Sequence, residues 1–302
     1  MTDPVLALDL GGSKILAALV EGEHVTAEAT RPTRPAEGPD AWLAAVAEIA
    51  APWAGRFARV AAAVTGLVDE GRWSALNPGT LPIPDNFPLI DQLVALLGRP
   101  ALALNDAQAA AWGEHRFGAG QGGDMAFVTV STGIGCGLVL EGRLRQGRGG
   151  LAGHLGVAAP LPEVDGVTHV EDAVAGRWVA AEAGQAGHAC TAREVFEEAR
   201  HGEPWAVAII EEQARRTARL LANLQLLVAP DVIVVGGGIG LAPGHLARIE
   251  RALVVLPPIR RPVLRAAALG PHAGILGAAD LALVPATAKP SRPDLVPQRS
   301  HA

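Results

Sequence analysis

Cysteine and uninterrupted apolar runs are scarce in this chain of 302 residues. The two cysteines, Cys136 and Cys190, are too few for a disulfide framework or for a metal site built from cysteine. The most apolar stretch, residues 220–241, is interrupted by polar residues and a proline, which predicts a helix followed by a strand and not a membrane span. No basic segment with an apolar signal core precedes the first predicted strand, so we expect a soluble cytoplasmic protein.

An excess of positive charge is also lacking, because 25 lysines and arginines stand against 31 acidic side chains and give a net charge of −6. Nothing in that balance attracts the whole chain to nucleic acid or to anionic lipid, so we expect neither as a partner. The 49% hydrophobic content suffices for a sizeable core and excludes a disordered or collagen-like chain. The length predicts about two domains.

A strand, a turn of small residues, a second strand and a Glu-Gly turn occur twice along the chain. The first copy begins with VLALDL at residues 5–10, continues through GGSK and ends in an apolar run to residue 20. The second copy occupies residues 127–142. A duplicated hairpin indicates two related lobes that face each other, and hence an α/β fold.

Three glycine-rich turns each follow a predicted strand, where bare backbone lets N–H groups approach an anion closely. An ordinary hairpin turn explains the first equally well, and each of the others alone is weak evidence. Their joint occurrence predicts a cleft that cradles a nucleoside triphosphate. Asp9, before the first turn, would repel phosphate, so its predicted role is to hold Mg²⁺ through water. The turn residues are Gly11, Gly12, Ser13 and Lys14, then Ser131, Thr132, Gly133 and Gly135, and finally Gly236, Gly237 and Gly238.

Three further polar residues are candidates for chemistry. Asp106 opens a predicted helix, where it could act as the N-cap, but a carboxylate at a strand end facing a phosphate cleft also suits a general base for a sugar hydroxyl. His154 lies in the glycine-rich run 149–156, which indicates close approach of another group to the backbone, although a lone histidine is commonly structural. Glu171 has the position of a solvated acid at a helix start.

Five motifs, in this order along the chain, resemble those of the ROK family of bacterial sugar kinases within the actin-like ATPase superfamily. They are LDLGGSK, LNDAQAAAWGE, VSTGIGCG, GGLAGHLG and VVGGGIG, and the likeness extends to about residue 279. The sequence is most similar to the bacterial members that act on N-acetylmannosamine in sialic acid catabolism. The resemblance implies an actin-like, ribonuclease H-like fold of two duplicated lobes with a central cleft. It also implies ATP-dependent phosphorylation of the 6-hydroxyl of that sugar.

The same resemblance implies residue roles by position in the family motifs. Asp106 matches the catalytic base, and Glu171 matches the acid that reaches the sugar near its anomeric end. The glycine turns match the first phosphate, second phosphate and adenosine motifs, so ATP with Mg²⁺ is the implied cofactor pair. Sugar contacts are implied for Gly66, Asn77, Asn105, Asp106, His154 and Glu171.

Two departures from the family pattern affect metal binding. Most members carry Glu-x-Gly-His in the sugar loop, with a histidine that touches sugar and binds zinc, whereas here the first position is His154 and the last is Val157. The cysteine-rich loop CxCGxxGC that normally follows is missing, and only His169 stands where its last cysteine would be. We therefore predict no structural zinc. The loop would be held by packing instead, through Leu155, Val157, Leu161 and Val164.

The predicted domains are a smaller N-terminal lobe at residues 1–105, completed by a C-terminal helix at 273–284, and a larger lobe at 106–272. A disordered tail at 285–302 is expected to follow, because it is rich in proline and charge. The family resemblance makes a homodimer the expected assembly.

Three other functions deserve comparison. A glucokinase-like ROK hexokinase is the alternative of the same class, but the neutral imidazole of His154 replaces a carboxylate acceptor and changes which hydroxyls are paired. A catalytically weak sugar sensor is the second, although Asp9, Lys14 and Asp106 are retained. A ROK transcriptional repressor would need a helix-turn-helix ahead of the first phosphate motif, which here begins at Asp9.

Overall fold

The computed structural model describes residues 3–76, 81–158 and 169–284. The predictions for Asn77, Leu161, Val164 and the tail at 285–302 lie outside the described residues. Within the described ranges, none of the helices combines the length and the apolar content that crossing a bilayer requires.

The strands form two five-stranded sheets and one small hairpin, β5–β6. The strands are β1 (Val5–Leu10), β2 (Lys14–Glu21), β3 (His24–Pro32), β4 (Arg59–Val64), β5 (Leu67–Asp69), β6 (Arg72–Ser74), β7 (Ala101–Asn105), β8 (Met125–Val130), β9 (Ile134–Leu140), β10 (Arg143–Leu144), β11 (Val232–Gly236) and β12 (Leu264–Ala266). Strands β1, β4, β8 and β11 are nearly continuous apolar runs because helices or loops cover both of their faces.

The two larger sheets have the same topology, with the orders β3-β2-β1-β4-β7 and β10-β9-β8-β11-β12. In the first sheet, β1 pairs antiparallel with β2 and parallel with β4, which is parallel to β7. In the second, β8 pairs antiparallel with β9 and parallel with β11, which is parallel to β12. This correspondence confirms the duplicated two-lobe fold that the sequence repeat predicts.

The helices cover the sheets and fill the space between them. They are α1 (Gly38–Ala50), α2 (Leu89–Leu97), α3 (Asp106–Phe117), α4 (Val170–Val174), α5 (Gly176–Gln185), α6 (Ala192–His201), α7 (Pro204–Val228), α8 (Gly237–Gly240), α9 (His245–Leu253) and α10 (Ala273–Leu283). The capping box of α6, with Thr191 and Glu194 bonded reciprocally, is one of the local signals that fix these boundaries.

Helices α3 and α10 pack against each other between the two sheets. Buried apolar residues of α10, such as Ile275, lie on the first sheet, while Ala111 of α3 packs on the second. The helices approach closely at Gly277, where a Cβ would collide with the backbone of Ala109. Because the C-terminal helix joins the N-terminal sheet, this packing supports the predicted lobe division, which we retain as a proposal.

Candidate active site

Parallel pairing of β1, β4 and β7 brings three strand ends to one edge of the first sheet. Leu10 lies opposite Val64, and Val64 lies opposite Asn105. Asp9 and Asp106 therefore stand on neighbouring parts of the same edge. In α/β proteins the carboxyl ends of parallel strands are where ligands bind, so this edge is the candidate site.

Asn105 positions the start of α3, and through it Asp106. The Oδ1 atom of Asn105 accepts hydrogen bonds from the N–H groups of Ala107 at 3.0 Å and Gln108 at 3.2 Å, and its Nδ2 donates to the carbonyl of Gly66 at 3.0 Å. Asn105 is therefore the N-cap, and the interpretation of Asp106 as the cap is wrong. Asp106 is the first helical residue, and its side chain lines a cavity.

Burial gives two acids of this edge unusual proton affinity. It raises the pKa of Asp106 to about 6, although hydrogen bonds from Ala107 and Asn105 oppose the rise. The pKa of Asp9 is also raised to about 6, mainly by burial and to a smaller extent by repulsion from Asp106. The positive charge of Lys14 opposes this rise. At pH 7 Asp106 is thus mostly ionised, yet it is a stronger proton acceptor than an ordinary aspartate.

One buried amide fastens the segment that precedes His154 to helix α3. The Nε2 atom of Gln108 donates to the carbonyl oxygens of Gly150 at 3.0 Å and Ala152 at 2.9 Å. The ring nitrogen Nε2 of His154 lies 3.5 Å from the carbonyl oxygen of Gly66, the same oxygen that accepts from Asn105. The glycine-rich run is therefore tied to the same helix as Asp106.

Glu171 lies in α4 and is only 8% exposed, so the interpretation as a solvated acid is wrong. Its Oε1 lies 3.1 Å from Nη1 of Arg177, and the same nitrogen lies 3.2 Å from Oδ1 of Asp172. A Cβ built on Gly133 would lie 2.8 Å from Oε2 of Glu171, and one on Gly156 would lie 3.0 Å from it. The carboxylate thus occupies the space between the second glycine turn and the sugar loop.

Two adjacent cavities meet at the second glycine turn. The first has a volume of about 260 Å³ and the second about 680 Å³. Thr132 and Arg177 line both of them, and the larger also has an apolar wall that includes Phe196 and Ile239. The smaller cavity brings together these residues singled out from the sequence: Gly66, Asn105, Asp106, Ser131, Thr132, Gly133, Gly135, His154 and Glu171.

Other residues singled out from the sequence have different places. Ser13, in the turn between β1 and β2, and Lys14, the first residue of β2, are exposed, and neither is among the described residues that line the two cavities. Gly238 lines the larger cavity. Gly237, with φ of +83°, lies against β8, where a Cβ would stand 2.6 Å from Oγ1 of Thr129. Close packing and the positive φ angle therefore both require glycine at position 237.

Sequence reasoning missed Arg177 and Gln108. Gln108 is part of the quoted motif LNDAQAAAWGE, yet its amide has no pattern that would reveal its partners in a distant loop. Arg177 and Glu171 are six residues apart across a break at Ala175, whose backbone is extended with ψ of 179°. Helical periodicity therefore could not have paired them.

No cluster of three or more histidine, cysteine or acidic side chains suited to a metal ion occurs within residues 3–76, 81–158 and 169–284. The absence of structural zinc stays a prediction. Asp9 and Asp106 offer two neighbouring carboxylates, and oxygen donors of this type suit Mg²⁺.

Comparison with known proteins supports the motif-based resemblance. The model of the ROK family matches residues 5–284. The bifunctional enzyme NanE/NanK of Brucella melitensis is 48% identical over 284 residues, covering 93% of this chain and 54% of that protein. The N-acetylmannosamine kinase of Citrobacter koseri is 41% identical over 283 residues, covering 92% of this chain and 98% of that protein. The chain thus spans about half the length of the bifunctional relatives that it matches.

Solved structures give the same result at the level of the fold. A ROK family glucokinase from Streptomyces griseus, in complex with glucose and AMPPNP, has 30% identity and a TM-score of 0.81, covering 92% of this chain and 99% of that one. A ROK hexokinase from Thermus thermophilus has 34% identity and a TM-score of 0.77, covering 92% of this chain and 97% of that one.

Proposed function

The chain belongs to the ROK family, and from that premise we propose that it is an ATP-dependent kinase that phosphorylates N-acetylmannosamine at the 6-hydroxyl. The identity of 41% to an N-acetylmannosamine kinase of nearly the same length supports the choice of sugar. The nucleotide analogue AMPPNP in the S. griseus glucokinase supports the choice of ATP as donor.

The observation that carries this proposal is the placement of Asp106. Its carboxylate lines the cavity of about 260 Å³, and burial raises its pKa to about 6. That volume is slightly below the usual range for small-molecule pockets, which suits a single sugar better than an oligosaccharide. A carboxylate of this pKa in contact with a sugar hydroxyl is suited to accept its proton.

The proposed reaction assigns each group a task. Asp106 accepts the proton of the sugar 6-hydroxyl while the oxygen of that hydroxyl bonds to the γ-phosphorus. The bond from the γ-phosphorus to the β–γ bridging oxygen breaks, which releases ADP. Asn105, His154 and Glu171 hold and orient the sugar. Backbone N–H groups and hydroxyls of the second glycine turn hold the donor phosphates, while the larger cavity takes the nucleoside with Gly238 in its wall.

The residues present fit a magnesium ion. Asp9 and Asp106 repel each other across a partly buried edge, so a divalent cation would relieve an existing electrostatic cost. Asp9 would hold the ion through water, and the ion would neutralise charge on the phosphates. We infer that no structural zinc is required, and that the assembly is a homodimer in the cytoplasm.

A glucokinase-like activity is the second candidate, because a 30% identical ROK neighbour is described as a glucokinase with bound glucose. Both candidates use the same base and the same donor site. They differ in the pairing of sugar hydroxyls, for which the ring of His154 is the distinguishing group.

The test is a panel of hexoses and hexosamines with ATP and Mg²⁺, in which ADP release is measured and the product is identified by NMR. We expect the highest kcat/KM for N-acetylmannosamine, with phosphate on the 6-oxygen. A preference for glucose would favour the second candidate. ADP release that is near zero and independent of sugar would identify a binding protein without turnover.

A further inference from the structure

Arg177 connects the two cavities. It is the second residue of α5, and its side chain lines both the smaller and the larger cavity. Its Nε donates to the carbonyl oxygen of Thr132 at 3.3 Å, and its Nη1 lies 3.1 Å from Oε1 of Glu171. The neighbouring N–H of Gly176 donates to the carbonyl of Ser131 at 2.7 Å. The guanidinium is therefore fixed to the second glycine turn.

The acid that Arg177 contacts lies unusually close to that turn. Oε2 of Glu171 would be only 2.8 Å from a Cβ on Gly133, in the turn assigned above to donor phosphates. A second acid, Asp172, lies on the same guanidinium nitrogen at 3.2 Å. A carboxylate as close to a phosphate site as that of Glu171 would repel a nucleotide unless a cation compensates its charge, because such repulsion is strong in a partly desolvated site.

Arg177 is the only lysine or arginine among the described residues that line both cavities. Arg193 and Arg200 line the larger cavity alone, and Arg193 is paired with Glu197 at 3.2 Å. Arg177 is therefore the residue placed to neutralise the carboxylate of Glu171 where the two cavities adjoin.

Resting on the proposed function, we propose that Arg177 is a charge-compensating residue: it neutralises the acid of the sugar cavity so that nucleotide phosphates can occupy the adjoining turn. The sugar site thereby keeps a carboxylate as a hydroxyl acceptor without loss of nucleotide affinity. Arg177 acts through Glu171, so its contribution is to positioning and charge and not to proton transfer.

The test measures binding of AMPPNP with Mg²⁺ by calorimetry in the absence of sugar. We expect Arg177→Met to weaken binding by about tenfold, which is about 1.4 kcal/mol. Adding Glu171→Gln should restore affinity to within about threefold of the parent, because the acid next to the second glycine turn is then neutral, and Asp172 is not among the described residues that line either cavity. The double variant should still bind sugar poorly, since it lacks the acceptor carboxylate.

Arg177→Lys supplies a second test, because it keeps the charge without the guanidinium fork and should bind AMPPNP within about threefold of the parent. Arg215→Met is the matched control, since Arg215 pairs with Glu212 at 2.9 Å on α7 and lines neither cavity in the described residues. It should bind AMPPNP as the parent does. Thermal unfolding verifies that each variant is folded.

Equal weakening in Arg177→Met and in the double variant would overturn the proposal, because it would indicate a structural role without charge compensation. Unchanged binding in Arg177→Met would overturn it as well, while leaving the kinase proposal intact. A parent that binds no nucleotide would overturn the proposed function and this inference together.

Discussion

The properties of Asp106 follow from the residue before it. Asn105 uses its Oδ1 to cap α3 and its Nδ2 to bind Gly66, so the chain turns sharply where the strand ends. That turn leaves Asp106 at the first helical position, lining the cavity and partly desolvated. Local capping and proton affinity are thus set by two adjacent residues.

Asp106→Asn should abolish most turnover without unfolding the chain. The amide cannot accept the hydroxyl proton, so we expect kcat to fall by about 10²–10⁴-fold, while the KM for ATP changes little. In the parent, kcat/KM should decline below about pH 6, because the pKa of Asp106 is about 6. Steady-state kinetics across pH 5–8 checks both. If the variant kept turnover within tenfold of the parent, a residue other than Asp106 would have to be the general base.

The same substitution should stabilise the chain free of ligands at pH 8. A carboxyl whose pKa is higher in the folded than in the unfolded chain binds its proton more tightly when folded, so its ionisation costs stability above pH 6 and nothing below about pH 4. Asp106→Asn removes that cost and relieves Asp9. We expect Tm to rise by about 2–5 °C at pH 8.

Thermal unfolding at pH 8 and pH 4.5 measures this effect, and the difference between variant and parent should shrink at the lower pH. Asp85→Asn is the control, because Asp85 is exposed. It should leave Tm unchanged at both values. A Tm of Asp106→Asn at or below that of the parent at pH 8 would contradict the electrostatic account.

At the scale of elements, α3 organises the site by contacts of its N-cap and first turn. Its first residues carry the cap and the acid, and Gln108 reaches the segment before His154. Because this segment is rich in glycine, it has little side-chain packing of its own. The amide of Gln108 therefore supplies a fixed attachment that the sequence of the segment lacks.

Gln108→Met should impair the sugar site selectively. Methionine fills similar space but leaves the carbonyls of Gly150 and Ala152 without their donor, at a cost of about 1–3 kcal/mol in the free energy of unfolding. We expect KM for the sugar to rise by about tenfold and KM for ATP to stay within about twofold.

Steady-state kinetics in which the sugar or ATP is varied measures the two KM values, and urea unfolding measures the free energy of unfolding. Gln185→Met, at the exposed end of α5, is the control and should change none of them. An equal rise in both KM values would indicate a general loss of structure instead of a displaced sugar loop.

At the scale of the whole molecule, the sequence predicts the architecture well because the architecture is repeated. Two hairpins with the same pattern of strands and turns lead to two sheets of the same order, and the final helix is placed correctly at residues 273–283. Periodicity and local turn chemistry carry that information. No sequence pattern predicts contacts such as that of Arg177 with Thr132, because these contacts form only when separate elements pack together.

The sequence-based treatment of polar residues was least successful where burial decides the outcome. From sequence alone, Glu171 could be a solvated acid and Asp106 a helix cap. In the structure Glu171 is buried beside Arg177 and the second glycine turn, and Asn105 is the cap instead of Asp106. Conversely, Lys14 stands out in the sequence but is exposed at the start of β2. Motif position predicts the region of the candidate site, whereas the charge pairing inside that region is visible only from three-dimensional contacts.

The last prediction concerns the stability of the whole chain without zinc. In the described residues, the segments beside the missing cysteine loop are held by Gln108 on one side and by the pair of Arg177 and Glu171 on the other. These attachments need no metal. Treatment with a strong chelator and gel filtration should therefore leave Tm within about 1 °C, whereas loss of a structural zinc typically removes much of the folding energy.

Metal analysis of the purified chain should find well under one zinc per molecule, and turnover should return fully when Mg²⁺ alone is supplied. A control with a zinc-binding ROK kinase treated in the same way should lose stability. Stoichiometric zinc, or a fall in Tm reversed only by zinc, would contradict the prediction. That result would mean that ligands such as His169 bind the metal in a coordination set without the usual cysteines.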